Sequence, residues 1–191
     1  MGEIVVQAVY FDKPGSQNTL RTLEIAKRRA EELGIRNIVV ATTTGETGVL
    51  AAKMFQDYNL VVVTHSTGFR KPNYQELTEE NRKAIEALGA KILTCTHAFG
   101  GIGRAIRRKL NTYQVEEIIA FTLRNFGEGM KVAVEITLMA ADAGLIRTDE
   151  EVIAIAGTGR GADTAVVLLP AHTQSFFDLR VLEILAKPRL R

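Results

Sequence analysis

One cysteine, Cys95, is all the thiol chemistry in this chain. That excludes an internal disulfide and a metal site built from several thiolates, and at the end of an apolar run Cys95 reads as inert packing rather than a nucleophile. Aromatic residues make up only 6% of the chain and the formal net charge is +2, so neither aromatic interleaving nor a strong basic excess points to nucleic acid. No apolar run approaches the roughly 20 residues of a spanning helix, which argues against a membrane. The opening MGEIVVQAVYF runs straight into a strand pattern rather than a signal peptide, so a cytoplasmic location is expected. Repeats, low-complexity tracts and linkers are missing too. With 191 residues, 46% of them hydrophobic, residues 1–191 are expected to form one globular domain.

What is present is concentrated in Asn37–Thr64. Ile38–Ala41 and Leu60–Val63 are continuous apolar runs without alternation, the pattern of parallel strands buried on both faces. A crossover helix is expected between them, over Glu46–Phe55. Its first turn follows the carboxyl end of a strand, so free backbone N–H groups and the positive end of the helix dipole sit where open α/β sheets bind ligands. Thr42, Thr43, Thr44 and Thr47 add hydroxyl donors, Gly45 permits φ > 0 or close backbone approach, and Gly48 keeps the first turn free of bulk. This composition suits a phosphate monoester, although Thr44 or Thr47 merely capping the helix would leave the same trace. The pattern is neither the P-loop nor the dinucleotide fingerprint.

Elsewhere, Ile4–Phe11 reads as a first strand, Asp12–Gln17 as a loop, and Asn18–Leu33 as a helix closed by Gly34. Further helices are expected over Thr78–Leu88, with Glu79 and Glu80 in its first turn, over the basic Gly101–Leu110, and over Val115–Leu123. Lys91–Cys95, Val152–Ala156, Thr164–Leu169 and Leu179–Ala186 read as strands. Met130–Ala143 alternates like a strand at first, yet its length, its alanines and the Gly144 stop favour a buried helix. The fold class is therefore α/β, a three-layer, doubly wound, mostly parallel sheet. The loop between Val152–Ala156 and Thr164–Leu169 is too short for a crossover helix, so that pair is expected to be an antiparallel edge.

In such a sheet the loops at the carboxyl ends of the strands share one rim. Asp12–Gln17, Thr43–Gly48, His65–Phe69 and Thr96–Gly101 belong there, with the glycine loop Gly157–Asp163 nearby. His65, Ser66, Thr67, Gly68 and Phe69 combine an imidazole, two hydroxyls, a flexible glycine and an aromatic ring. Those are parts for a flat heteroaromatic ligand, and equally for an ordinary turn. His97, Gly100 and Gly101 repeat the arrangement one strand later and open the basic helix. Gly159, Arg160 and Gly161 place a guanidinium in a glycine loop, able to clamp a phosphate or simply to close a hairpin. Arg104, Arg107 and Arg108 read as a solvated or subunit-facing helix face. Glu135 and Asp142 share a face of the apolar helix, as a functional pair or as a paired polar contact. His65, His97 and His172 have no carboxylate at metal-ligand spacing, and neither a nucleophile elbow nor an HExxH motif is present. His65, His97 and Asp12 together remain a candidate metal or acid–base group on the rim.

The run IVVATTTGETGVLAAK, residues 38–53, resembles the strand, loop and helix of the pyruvate kinase C-terminal domain. There a Thr-x-[Ser/Thr]-Gly-x-[Ser/Thr] pattern grips an effector phosphate, at positions that are Thr42, Thr43, Thr44, Gly45, Glu46 and Thr47 in this sequence. AADAGLIRTDEEVIAIAGTGRGADTAVVLLPA, residues 140–171, is similar to that domain's last helix, glycine turn, strand, glycine-rich loop and final strand. The resemblance implies a stand-alone protein of the pyruvate-kinase-C-terminal-like class, whose small archaeal members hold flavin mononucleotide (FMN). Glu46 departs from it, being acidic where a phosphate grip prefers a neutral or basic residue. Pyruvate kinase activity needs a (β/α)₈ barrel of about 250 residues, so this chain is expected not to be a pyruvate kinase. The expected function is binding of a phosphorylated small molecule, foremost FMN, with its phosphate on residues 43–48. A cofactor-independent enzyme on a phosphorylated metabolite, with His65 or His97 as acid–base, is one alternative. An effector-sensing module acting through a partner or its own homo-oligomer is another, and Phe176, Phe177 and Leu179 are apolar residues for such an interface or for the core.

Overall fold

Uninterrupted β-branched runs set the centre of the molecule. In the computed structural model, which describes residues 2–189, β1 (Val9–Phe11), β2 (Asn37–Ala41), β3 (Asn59–Thr64), β4 (Lys91–Thr94), β5 (Val152–Ala156), β6 (Thr164–Leu169) and β7 (Arg180–Pro188) form one sheet. Its strand order is β1-β7-β6-β5-β2-β3-β4. Alternate residues of the same strands feed two cores. Ile38, Val40, Leu60, Val62, Ile153 and Ile155 meet the face covered by α1 (Thr19–Leu33), α2 (Glu46–Met54) and α3 (Glu79–Ala87). Val39, Val61, Val63, Ala154 and Ala156 pack on the opposite face under α6 (Glu128–Asp142). α5 (Val115–Arg124) lies against α6 through Ala120, Val134 and Leu138, with Phe99 in the same cluster, and α4 (Gly101–Leu110) precedes it. Burial on both faces explains why these strands show no polar alternation.

The topology creates the site. β2, β3 and β4 pair in parallel, moving outward from the centre. The chain then returns through α4, α5 and α6 and lays β5 in parallel on the other side of β2. Strand order reverses between β2 and β5, and the carboxyl ends of two such strands form the crevice where open α/β sheets take their ligands. The β5–β6 hairpin is antiparallel as its loop length requires, β7 is antiparallel to β6, and β1 is parallel to β7.

Most expected elements recur within one or two residues, and Met130–Ala143 is helical, starting slightly earlier at Glu128. β1 differs. It covers Val9–Phe11 rather than Ile4–Phe11, and Ile4 and Val5 are 85% exposed. Residues upstream of Val9 would lie beside the part of β7 where its register against β6 shifts twice. A strand bulged there offers no regular ladder for a further partner. Cys95 falls just beyond β4 and is half-buried rather than sealed, with burial raising its thiol pKa. Phe177 is largely exposed, whereas Phe176 and Leu179 are half-buried against the α5–α6 cluster.

The hairpin loop after β5 is locked by close backbone contact. Gly161 has φ 71°, and a Cβ there would come within 2.4 Å of the Ser16 Cα; Gly159 has φ 80° but open space around it. Gly159→Ala is therefore expected to cost about 1 kcal/mol from φ alone, and Gly161→Ala about 2 kcal/mol or more, in urea-unfolding free energy. Equal losses in the two variants would contradict the contact.

Candidate functional site

A cavity of about 750 Å³ opens at the junction of β2 and β5. The turn after β2 supplies Thr42, Thr43, Thr44, Glu46 and Thr47 to its wall, and the hairpin loop supplies Gly157, Gly159, Arg160 and Gly161. In the turn, Thr42 is spent internally. Its Oγ1 accepts the Gly45 N–H at 3.2 Å and the Gly48 N–H at 3.4 Å, while its own N–H donates to Val63 O at 2.9 Å. The inward closure of the turn is thus made by Thr42, not by Thr44 or Thr47. The Thr44 carbonyl takes the Thr78 N–H and the Asn81 Nδ2, fixing the turn to α3. Among the described residues, the N–H groups of Thr43, Thr44, Glu46 and Thr47 donate to no protein acceptor, and the hydroxyls of Thr43, Thr44 and Thr47 have no partner. These are donors at the positive end of a nine-residue helix, unspent and facing a cavity.

Gly45 and Gly48 do not line the cavity. Gly45, with φ 107°, begins α2 beneath Asn81 and Leu77, and a Cβ on Gly48 would come within 2.8 Å of Val62 Cγ1 and 2.9 Å of Ile85 Cδ1. Both let α2 press close to β3 and α3, which positions the turn. Glu46 is exposed and stands on the cavity wall.

The second wall comes from the loops after β3 and β4. His65 Nδ1 lies 2.7 Å from Glu76 Oε2, and the other oxygen of Glu76 takes Arg70 Nε at 3.0 Å. His97 Nε2 accepts the Ser66 N–H at 3.3 Å, and its Nδ1 is 3.7 Å from Glu135 Oε2. Phe69 joins the two imidazoles, its ring centroid 4.2 Å from that of His65 and 4.9 Å from that of His97, with the Arg104 guanidinium 5.0 Å from it. His65, Phe69 and His97 all line the cavity, whereas Ser66, Thr67, Gly68, Gly100 and Gly101 do not. Gly68 turns the loop at φ 84°, and the missing side chain of Gly100 leaves room that the Arg104 guanidinium fills. Asp12 is not with the histidines. Its loop is tied instead to the β5–β6 hairpin, where Gly15 N–H donates to Asp163 Oδ2 at 2.9 Å. No cluster of three metal-ligating side chains occurs among the described residues.

The third wall, α5 and α6, supplies Arg124, Glu128, Lys131 and Glu135, of which only Glu135 stood out in the sequence. Glu135 is 2% exposed, pairs with the equally buried Lys131, and accepts the Phe99 N–H at 3.0 Å. Burial by itself raises its carboxyl pKa, but the Lys131 ammonium and the His97 imidazole more than reverse this and hold it at about 2. Asp142 does not pair with it. It takes the Thr173 N–H and hydroxyl and lies 3.3 Å from His172 Nδ1. Each histidine therefore faces a carboxylate distant in sequence. Arg104 turns into the cavity rather than to solvent or a subunit face, and Arg107 pairs with Glu117.

Six basic residues line the cavity, namely Arg70, Lys71, Arg104, Arg124, Lys131 and Arg160, against four acidic ones, Glu46, Glu76, Glu128 and Glu135. Three of the carboxylates are committed to Arg70, Arg124 and Lys131. The lining therefore carries an excess of two positive charges.

The geometry defines a doubly wound α/β protein with a polar cavity at its topological switch point. Residues 20–168 match the family model described as pyruvate kinase, alpha/beta domain, and the chain belongs to that family. Among solved structures, a pyruvate kinase from Cryptosporidium parvum is 15% identical over 78% of this chain and 23% of its own, with a TM-score of 0.40. The Cryptosporidium parvum pyruvate kinase in complex with ADP is likewise 15% identical, over 87% of this chain and 24% of its own, with a TM-score of 0.37. O-ureido-L-serine synthase is 22% identical over 49% of this chain and 30% of its own, with a TM-score of 0.31. The chain spans about a quarter of the length of the pyruvate kinases it matches.

The Glu135 carboxyl is ionised well below its ordinary value of 4.5, so it stabilises the fold above that pH, and the contribution disappears as pH falls toward about 2. Unfolding free energies from urea titrations carried downward through this window are expected to lose on the order of 3 kcal/mol from this group. The paired replacement Lys131→Met with Glu135→Leu should remove that component of the acid sensitivity. An unchanged pH profile in the double variant would contradict the assignment.

Proposed function

We propose that the chain binds a phosphate monoester in this cavity, FMN being the favoured ligand, with the phosphate on the turn Thr43–Gly48. The observation that carries the reading is the set of unspent amides and hydroxyls at the start of α2, opening into a cavity with two surplus positive charges. Arg160, which has no ion-pair partner among the described residues, is a cation available to the same anion. The cavity volume lies in the range of small-molecule sites, about 300–1,000 Å³. Beyond the turn, Val132, Ile136 and Met139 of α6 add apolar surface beside the polar walls, as a ligand with a flat ring system requires. Phe69 already packs against both imidazoles, so its part is to hold that wall. FMN, when bound, would supply redox chemistry, while the chain anchors the phosphate and orients the ring.

Protein incubated with FMN and then desalted is expected to keep the visible flavin band. Thr47→Glu should abolish retention by placing a carboxylate against the phosphate, and Thr44→Ala should weaken it about tenfold. Glu46→Gln should tighten it about threefold by removing a like charge from the cavity wall. Absence of both a retained band and thermal stabilisation by FMN would overturn the flavin assignment.

A further inference from the structure

Beyond binding, we propose that His65 is the acid–base group of the cavity, exchanging a proton with the bound phosphorylated ligand through Nε2 while Glu76 positions the imidazole. The ligand class rests on the phosphate-binding reading; the histidine geometry stands apart from it. His65 Nδ1 is committed to Glu76 Oε2 at 2.7 Å. A neutral imidazole beside a carboxylate carries its proton on the nitrogen that faces the carboxylate, so the lone pair of His65 resides on Nε2. That nitrogen has no partner among the described residues, and the side chain is 29% exposed on the cavity wall.

The surrounding loop fixes this arrangement. Gln75 Nε2 donates to the His65 carbonyl at 3.0 Å, and Gln75 Oε1 accepts the Leu77 N–H at 3.0 Å, so of the residues flanking Glu76, Gln75 is tied to His65 and Leu77 to Gln75. Arg70 holds the far oxygen of Glu76, and Phe69 packs on the imidazole ring. The charged and titratable groups around His65 are Glu76 and Arg70 on its own loop, His97 after β4, Arg104 of α4 behind Phe69, and Glu135 of α6 behind His97. His97 is the informative contrast. Its Nε2 takes the Ser66 N–H and its Nδ1 faces Glu135, so neither of its nitrogens is open to a ligand.

In the proposed step the Nε2 lone pair of His65 accepts a proton from an O–H, N–H or C–H group of the ligand. The electron pair of that bond stays on the ligand, Nδ1–H stays on Glu76, and the reverse step returns the proton from Nε2–H. Glu76 is a positioning residue, holding the imidazole with one oxygen and Arg70 with the other and taking no proton in the step.

Histidine tautomers are read by ¹⁵N NMR above the imidazole titration, and Nε2 reactivity is read by acylation with diethyl pyrocarbonate. Binding of phenyl phosphate, a phosphate monoester with a flat ring, is followed in parallel by calorimetry. We expect the Nδ1–H tautomer at His65, acylation at least tenfold faster at His65 than at His97, and protection of His65 by phenyl phosphate. Glu76→Leu is expected to move His65 toward the Nε2–H tautomer. If phenyl phosphate binds but His65 is the Nε2–H tautomer or stays open to the reagent, the proton-transfer proposal is overturned and the binding reading stands. If phenyl phosphate does not bind, the phosphate reading falls, and the ligand class assigned to His65 falls with it.

Discussion

Everything on the rim depends on β5 pairing with β2 instead of continuing the sheet beyond β4. That return brings the threonine turn and the glycine hairpin side by side at the carboxyl ends of two adjacent strands. It also obliges the chain to cross the sheet through α4, α5 and α6, and α6 lands on the opposite face from α2. The cavity is the space left between these commitments. Its contents follow from the path: donors from the start of α2, imidazoles from the loops after β3 and β4, and charges from the helices that make the return.

Burying charge on that return path is costly unless each ion is matched. The Lys131 and Glu135 pair meets this by adding the Phe99 N–H and the His97 imidazole around one carboxylate. Glu135 thereby joins α6 to the start of α4 and to the loop after β4, holding His97, which in turn receives the Ser66 amide of the loop after β3. The walls are connected to one another through a chain of polar contacts before any ligand arrives. The paired carboxylates cancel only part of the positive lining, so the cavity keeps surplus positive charge between walls that are already held in place.

Periodicity and punctuation made much of this legible. Continuous apolar runs located β2, β3 and β5, Gly34 and Gly144 marked helix ends, and the threonine-rich turn stood out because four hydroxyls cluster after a buried strand. Contacts between distant segments were not legible. Glu76 sits in an irregular loop, with no period to connect it to His65, and the spacing that joins Lys131 to Glu135 was overshadowed by the longer spacing from Glu135 to Asp142. Arg104 looked solvent-facing on its helix because nothing local reveals that Gly100 frees a path for its guanidinium back to Phe69. The shortening of β1 has its cause in bulges of β7, at the other end of the chain.

The most direct test of the central claim is a crystal structure of the protein soaked with phenyl phosphate. The phosphate is expected within hydrogen-bond distance of the N–H groups of Thr43, Thr44, Glu46 or Thr47, with its ring directed toward α6 and the imidazole wall. A phosphate seated at the start of α4, or held by surface arginines outside the cavity while the threonine turn stays empty, would contradict it.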